Sequence, residues 1–256
     1  MGMIKSTETS LDEQAIIASA EKALSDIANI REEVSKVIFG QESVVENTLL
    51  GVLGGGHALL VGVPGLAKTK LVTTLGAVLG LASSRVQFTP DLMPSDILGS
   101  EVMDQDESGR RSFRFVKGPV FAQLLMADEI NRASPRTQSA LLQSMQEYHI
   151  TIAGQRYDLP APFHVLATQN PLEQEGTYPL PEAQLDRFLL QVDVDYPELA
   201  DERRILLETT GVSEATPQAV IDAARLLEIQ QLIRQMPVSD GVVDAILSLV
   251  RSARPG

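Results

Sequence analysis

The stretch LLVGVPGLAKTKL, residues 59–71, constrains this chain more than any other. An apolar run gives way to a glycine-containing turn, and a Lys-Thr pair then opens a helical pattern. That is the strand–loop–helix order of a phosphate-binding loop, G-x-x-x-x-G-K-[ST], with Ala67 where the second glycine belongs. Gly62 and Gly65 offer backbone freedom and close approach for phosphate oxygens. Lys68 is a mobile cation for the β- and γ-phosphates, and Thr69 a hydroxyl for Mg2+. Ala67 adds one methyl group, which the pattern tolerates if that residue keeps an ordinary negative φ. A strand-to-helix turn that happens to contain Lys-Thr is the bland reading, so the loop needs a second feature beside it.

LLMADE, residues 124–129, is that feature: four apolar residues run straight into two acids. Open α/β sheets bind ligands at the C-terminal ends of their strands, where this run delivers its carboxylates. Asp128 suits Mg2+ through its water shell, and Glu129 suits polarisation of the water that attacks a γ-phosphate. A surface acidic pair is common, but a buried strand opening onto two carboxylates in one α/β unit with a phosphate loop points to nucleotide hydrolysis. Asn170, in LATQNP, ends the next apolar run, where its amide can bond a γ-phosphate oxygen or the attacking water; taken alone it reads as a turn asparagine before Pro171. Arg187, in EAQLDRF, admits two roles: a transition-state finger for a neighbouring subunit's nucleotide, or a salt bridge to Asp186 or Glu182.

Around these motifs the chain alternates. Residues 1–9 read as a disordered lead, and Ser10 with Glu13 as a capping box opening a helix that Gly40 closes near IFGQ. A second helix runs from about Glu42 to Leu53, and the glycines at 54–56 stop it. Those glycines precede the strand HALLVG, the wrong order for a dinucleotide turn. Strand 57–62, helix 68–80 and the strand SRVQFT follow. A hairpin across 101–116 carries DESG at its tip, and HITIAGQRYDL reads as a second hairpin. SPRTQSALLQSMQEY is helical with Ser134 as N-cap and Pro135 next, and FHVLATQN and RFLLQVDV are further strands. Strands joined by crossover helices predict an α/β domain with a parallel sheet. After DYPE, residues 198–256 show helical periodicity only. The expected divisions are therefore a lead and helix at 1–35, an α/β core at 36–197 and a helical segment at 198–256.

Composition narrows the function classes. The absence of cysteine removes thiolate metal sites, disulfides and a cysteine nucleophile. The formal charge of −13 disfavours nucleic acid, whose phosphate backbone is gripped by clustered Lys and Arg. It is compatible with ATP, because backbone N–H groups and one lysine cradle the phosphates. No apolar run is long enough for a bilayer and MGMIKSTETS has no signal-peptide h-region, so a soluble cytoplasmic protein is expected. His57, His149 and His164 are scattered without ligand spacing and read as structural.

GHALLVGVPGLAKT, LLMADEINRASPRTQSALLQSMQE, LATQNPLEQEGTYPLPEAQLDRF and FTPDLMPSDILG together closely resemble the MoxR family of AAA+ ATPases, over about residues 36 to 210. In that family the loop commonly reads G-V-P-G-x-[AG]-K-T, so Ala67 is typical of it. The resemblance implies a P-loop NTPase core with a parallel five-stranded sheet, β-hairpin insertions and a small helical lid. It makes Gly62, Val63, Gly65, Leu66, Ala67, Lys68, Thr69 and Lys70 the nucleotide loop. Thr69 and Asp128 become the Mg2+ residues, Glu129 the catalytic acid, Asn170 the polar sensor and Arg187 the finger supplied in trans. Ile38, Gly40 and Gln41, in IFGQ, match the linker that lies against adenine. It also implies a ring, usually hexameric, with ATP at subunit interfaces. The implied partners are a von Willebrand factor A domain protein and a client complex or metalloenzyme. The family usually continues to a late Pro-Arg stretch whose arginine reaches the γ-phosphate, whereas this chain stops at RSARPG. Arg136, in ASPRTQ, belongs to a different helix and does not replace it. The expectation is an incomplete lid, with nucleotide binding retained and hydrolysis weak.

A magnesium-chelatase-like ATPase subunit is the neighbouring reading; that group generally carries glycine before the loop lysine, and NRASPRTQ fits MoxR better. A nucleotide-regulated binding module without turnover is favoured by the missing lid segment and opposed by Glu129. A DNA motor is the weakest, on charge.

Overall fold

The computed structural model describes residues 4–105, 111–172, 176–209 and 215–254. Two long helices, α1 (Ile4–Ser35) and α2 (Glu42–Leu53), precede the first strand. α1 begins at Ile4, so residues 4–9 are helical instead of a disordered lead, and Ser10 lies in the body of the helix instead of capping it. β1 (Ala58–Val61), α3 (Lys68–Val78) and β2 (Ser83–Gln87) lead to a short α4 (Pro94–Leu98) that sequence periodicity did not reveal. β3 (Gly99–Gln105) and β4 (Arg111–Lys117) form the first hairpin, whose expected DESG tip lies outside the described residues. β5 (Leu124–Asp128) and α5 (Pro135–Glu147) follow; Ser134 does cap α5, its hydroxyl accepting the Thr137 N–H. β6 (His149–Ile152) and β7 (Gln155–Asp158) make the second hairpin, and β8 (His164–Gln169), α6 (Glu182–Leu185) and β9 (Leu190–Asp193) close the core. After it come α7 (Leu199–Thr209), α8 (Ala223–Gln235) and α9 (Asp240–Ser252), with no strand among the described residues.

Five strands form one parallel sheet in the order β2-β5-β8-β1-β9. β5 is buried throughout, and β1 and β8 nearly so, because helices cover both faces. Successive side chains alternate between two apolar layers. Leu60, Leu124, Met126 and Leu166 pack with α1, α2, α3 and α8. Leu59, Leu125, Ala127 and Val165 pack with α4 and α5. That two-sided burial is why these strands read as unbroken apolar runs. Edge strand β2 alternates and leaves Arg85 and Gln87 exposed on one side.

α8 returns to the core: Leu226 and Ile229 join the first layer, and Gln230 Nε2 donates to Val52 O at 2.8 Å. The chain reaching it crosses Gly80, which has φ 61° and where a Cβ would lie 2.4 Å from Ile221 O. The two hairpins lie outside the main sheet and touch through Phe115 and Tyr157, whose ring centroids are 4.3 Å apart. Among the described residues, no helix is long and apolar enough to cross a membrane.

Candidate functional site

The loop between β1 and α3 opens at the C-terminal end of a central strand. Gly65 takes φ 89° with nothing near the position of a Cβ, leaving its backbone open to an approaching ligand. Gly62 serves a different closeness from the one its motif suggests: a Cβ there would lie 2.5 Å from Val194 O, just past β9. Ala67 overturns the expectation of an ordinary φ. It sits at the helix N-cap with φ 54°, in the left-handed region, which costs an alanine on the order of 1 kcal/mol. Lys68 Nζ donates to Gly62 O at 2.7 Å and to Val63 O at 2.6 Å, so the lysine folds over its own loop. Burial pulls its pKa down, while the Asp128 and Glu129 carboxylates pull the other way.

The acids arrive from β5. Asp128 is the last strand residue, and Glu129 turns the chain with φ 55°. Neighbouring β8 contributes Thr168, which the sequence reading passed over. Its hydroxyl donates to Asp128 Oδ1 at 2.5 Å and accepts the Glu129 N–H at 2.8 Å, locking the two acids to one strand. Arg85 Nη2 lies 2.5 Å from Asp128 Oδ2. Gln87 Nε2 and Arg132 Nη1 both donate to Glu129 Oε2, at 2.7 and 2.9 Å. Asn170 follows β8 and its Oδ1 accepts the Leu172 N–H at 3.1 Å, so it performs the turn role. It also lines the cavity.

A cavity of about 400 Å³ gathers Gly65 to Lys70 with Asp128, Glu129, Thr168 and Asn170. Three adjacent strands thus converge on one space. Thr69 and Asp128 bring a hydroxyl and a carboxylate into it, hard oxygen donors of the kind Mg2+ takes.

A smaller cavity of about 110 Å³ adjoins it, sharing Gly65, Leu66, Ala67 and Lys70. Of the IFGQ residues, Ile38 and Gln41 line it, with Phe39 between them. Gly40 does not: with φ 67° it makes room for Asp201, whose Cβ lies 2.4 Å from where a glycine Cβ would stand. Gln41 Nε2 donates to Leu66 O at 3.0 Å, and its buried Oε1 has no partner. Pro197 and Ile205 close the far wall, and Arg204 stacks on Phe39 at 4.7 Å. Nothing local in the sequence marks these α7 contacts.

Arg187 is not brought to this site. It is half-buried in a separate depression with His57, Tyr148 and Leu189, beside the starts of β1 and β9. Strands rise roughly 3.3 Å per residue, so the sheet separates it from the acids by on the order of 10 Å or more. Among the described residues it pairs with neither Asp186 nor Glu182.

The family model described as "ATPase family associated with various cellular activities (AAA)" matches residues 57–190. The protein named Chaperone MoxR1 of Mycobacterium tuberculosis is 46% identical over 222 residues, 87% of this chain and 58% of that protein. Protein MoxR of Methylorubrum extorquens is 30% identical over 242 residues, 90% of this chain and 69% of the relative. A solved structure from Cytophaga hutchinsonii superposes with a TM-score of 0.86 at 40% identity, covering 95% of this chain and 73% of that one. The chain therefore spans between 58% and 69% of the length of these two curated relatives.

Proposed function

The chain belongs to the MoxR family of AAA+ ATPases, and from that premise we propose that it binds Mg2+-ATP in the loop cavity and hydrolyses it to remodel or mature a protein complex or metalloenzyme. The observation that carries the reading is the convergence of Lys68, Thr69, Asp128, Glu129 and Asn170 on one cavity. Lys68 balances phosphate charge. Thr69 and Asp128 would hold Mg2+, which when bound spreads the developing phosphoryl charge. Glu129 orients the attacking water and takes up its proton, and Asn170 steadies that water or a γ-phosphate oxygen. The adenine ring suits the adjoining apolar cavity lined by Ile38, Phe39 and Ile205.

Arg187 acts on a neighbour's nucleotide in this reading, since it carries no carboxylate partner among the described residues and cannot reach its own loop. A homo-oligomeric ring, hexameric by family habit, brings the two halves together. Residues 36–197 are read as the nucleotide-binding core, flanked by the lead and helix of 1–35 and the helical segment of 198–256. A von Willebrand factor A domain protein is the expected partner and the cytoplasm the expected compartment.

ATP hydrolysis per mole of chain, measured over a wide protein concentration range, tests the composite site. Specific activity should climb as rings assemble. Arg187→Ala should stay on the order of a thousandfold lower while binding nucleotide normally. Activity independent of concentration, with Arg187→Ala matching wild type, would sink the reading.

A further inference from the structure

Arg85 and Gln87 stand two residues apart on edge strand β2 and so share one side of it. Strand pairing sets Gln87 opposite Asp128 and Arg85 opposite Met126. From there Arg85 Nη2 reaches Asp128 Oδ2 at 2.5 Å and Gln87 Oε1 at 3.2 Å. Thr168 takes the other carboxylate oxygen, so both oxygens of Asp128 are engaged within the protein. The pair is lopsided. The Asp128 side chain is 12% exposed, while that of Arg85 is 51% exposed. A guanidinium that approaches from solvent can swing back into solvent at small cost. A carboxylate held in the sheet cannot follow it, and it is left with only the non-bonded charge of Lys68 nearby unless another cation takes the vacated oxygen.

Resting on the Mg2+-ATP reading above, we propose that Arg85 is a built-in competitor for the divalent ion at Asp128. Guanidinium and hydrated Mg2+ exchange at Oδ2, so loading the site with metal requires Arg85 to leave. The exchange has two consequences of opposite sign. Arg85 raises the Mg2+ concentration needed to load the site. With no metal present, the same guanidinium neutralises Asp128 and spares the incoming phosphates its negative charge. Arg85 thus holds the site in a charge-balanced state that metal-free nucleotide tolerates and that Mg2+ must displace.

The test compares wild type with Arg85→Gln, using a fluorescent ADP analogue as probe. Its affinity is measured first in EDTA and then across a Mg2+ titration, with calorimetric Mg2+ binding at saturating ADP as a second readout. The half-saturating Mg2+ concentration should fall roughly threefold to tenfold in Arg85→Gln, the range expected for a partly exposed charge-assisted contact. Affinity in EDTA should fall. Arg85→Lys, which keeps the charge, should stay nearer to wild type on both measures, and matched melting temperatures exclude a folding defect. If wild type binds nucleotide and Arg85→Gln shows an unchanged or raised Mg2+ midpoint, the competition is refuted and the parent reading survives. If wild type binds no nucleotide at any Mg2+ level, the parent reading fails and takes this proposal with it.

Discussion

His57, only 4% exposed, sits at the entrance to β1, packed near Tyr148, Phe163 and His164. Its Nδ1 accepts the Val165 N–H at 2.9 Å, which leaves Nε2 to donate to Met145 O at 3.2 Å. That pairing suits only the neutral ring. Burial accordingly holds the His57 pKa down at about 4, against an ordinary value of 6.5, with the Met145 carbonyl opposing the shift and His164 adding to it. Because the folded value is depressed, the unfolded chain takes up the proton more readily. The contribution to stability is therefore complete above about pH 6.5 and lost as pH falls toward 4. At 1.36 kcal/mol per pKa unit the full swing is roughly 3 kcal/mol, of which about 2 kcal/mol falls between pH 7 and pH 5. Urea unfolding at those two pH values should show that loss in wild type on top of the carboxylate contributions. His57→Asn keeps an acceptor near Nδ1 and removes the titration. It will be less stable at pH 7, but its further loss on going to pH 5 should be about 2 kcal/mol smaller than that of wild type. The carboxylates and distant His149 are common to both proteins and cancel in the difference, while neighbouring His164 leaves a smaller coupling behind. Equal losses in the two proteins would refute the argument that burial of this ring shapes the acid limb.

Ala67→Gly should raise stability in urea by up to about 1 kcal/mol, because glycine takes φ 54° without the alanine's penalty; a loss would show that the left-handed N-cap is not strained. Thr168→Val leaves Asp128 Oδ1 and the Glu129 N–H without their shared partner. It should cost about 1 to 3 kcal/mol in urea unfolding and depress ATP turnover more than nucleotide affinity; an undisturbed turnover would show that Thr168 plays no part in holding the acids.

The central strands were legible because helices bury both faces of the sheet, which forces apolar residues at every position of 124–127 and at 165–167, with the buried polar His164 and Thr168 on either side. The loop letters were legible because the strand, the glycine turn and the Lys-Thr pair that opens α3 lie within a few residues of one another. The start of α1 is not legible because a polar segment with little amphipathicity gives no periodic signal, and Ser10–Glu13 matches a cap by composition alone. Arg187 stood out as a cation near a helix end, but its distance from the acids follows from which end of β9 it precedes.

By itself the sequence determined the α/β class, the strand–loop–helix unit carrying Lys68 and Thr69, and the strand that delivers Asp128 and Glu129. These are local facts, written in periodicity and in residues no more than a few positions apart. Tertiary structure decided the lateral order β2-β5-β8-β1-β9, and with it every contact that crosses strands. Only that order sets Arg85 against Asp128 and Thr168 between the two acids, and the packing of α7 sets Ile205 against the loop. The left-handed turn at Ala67 belongs with these. A residue enters a sparsely populated conformation when the strand before it and the helix after it are both anchored in the core, a constraint its own neighbours in sequence do not express.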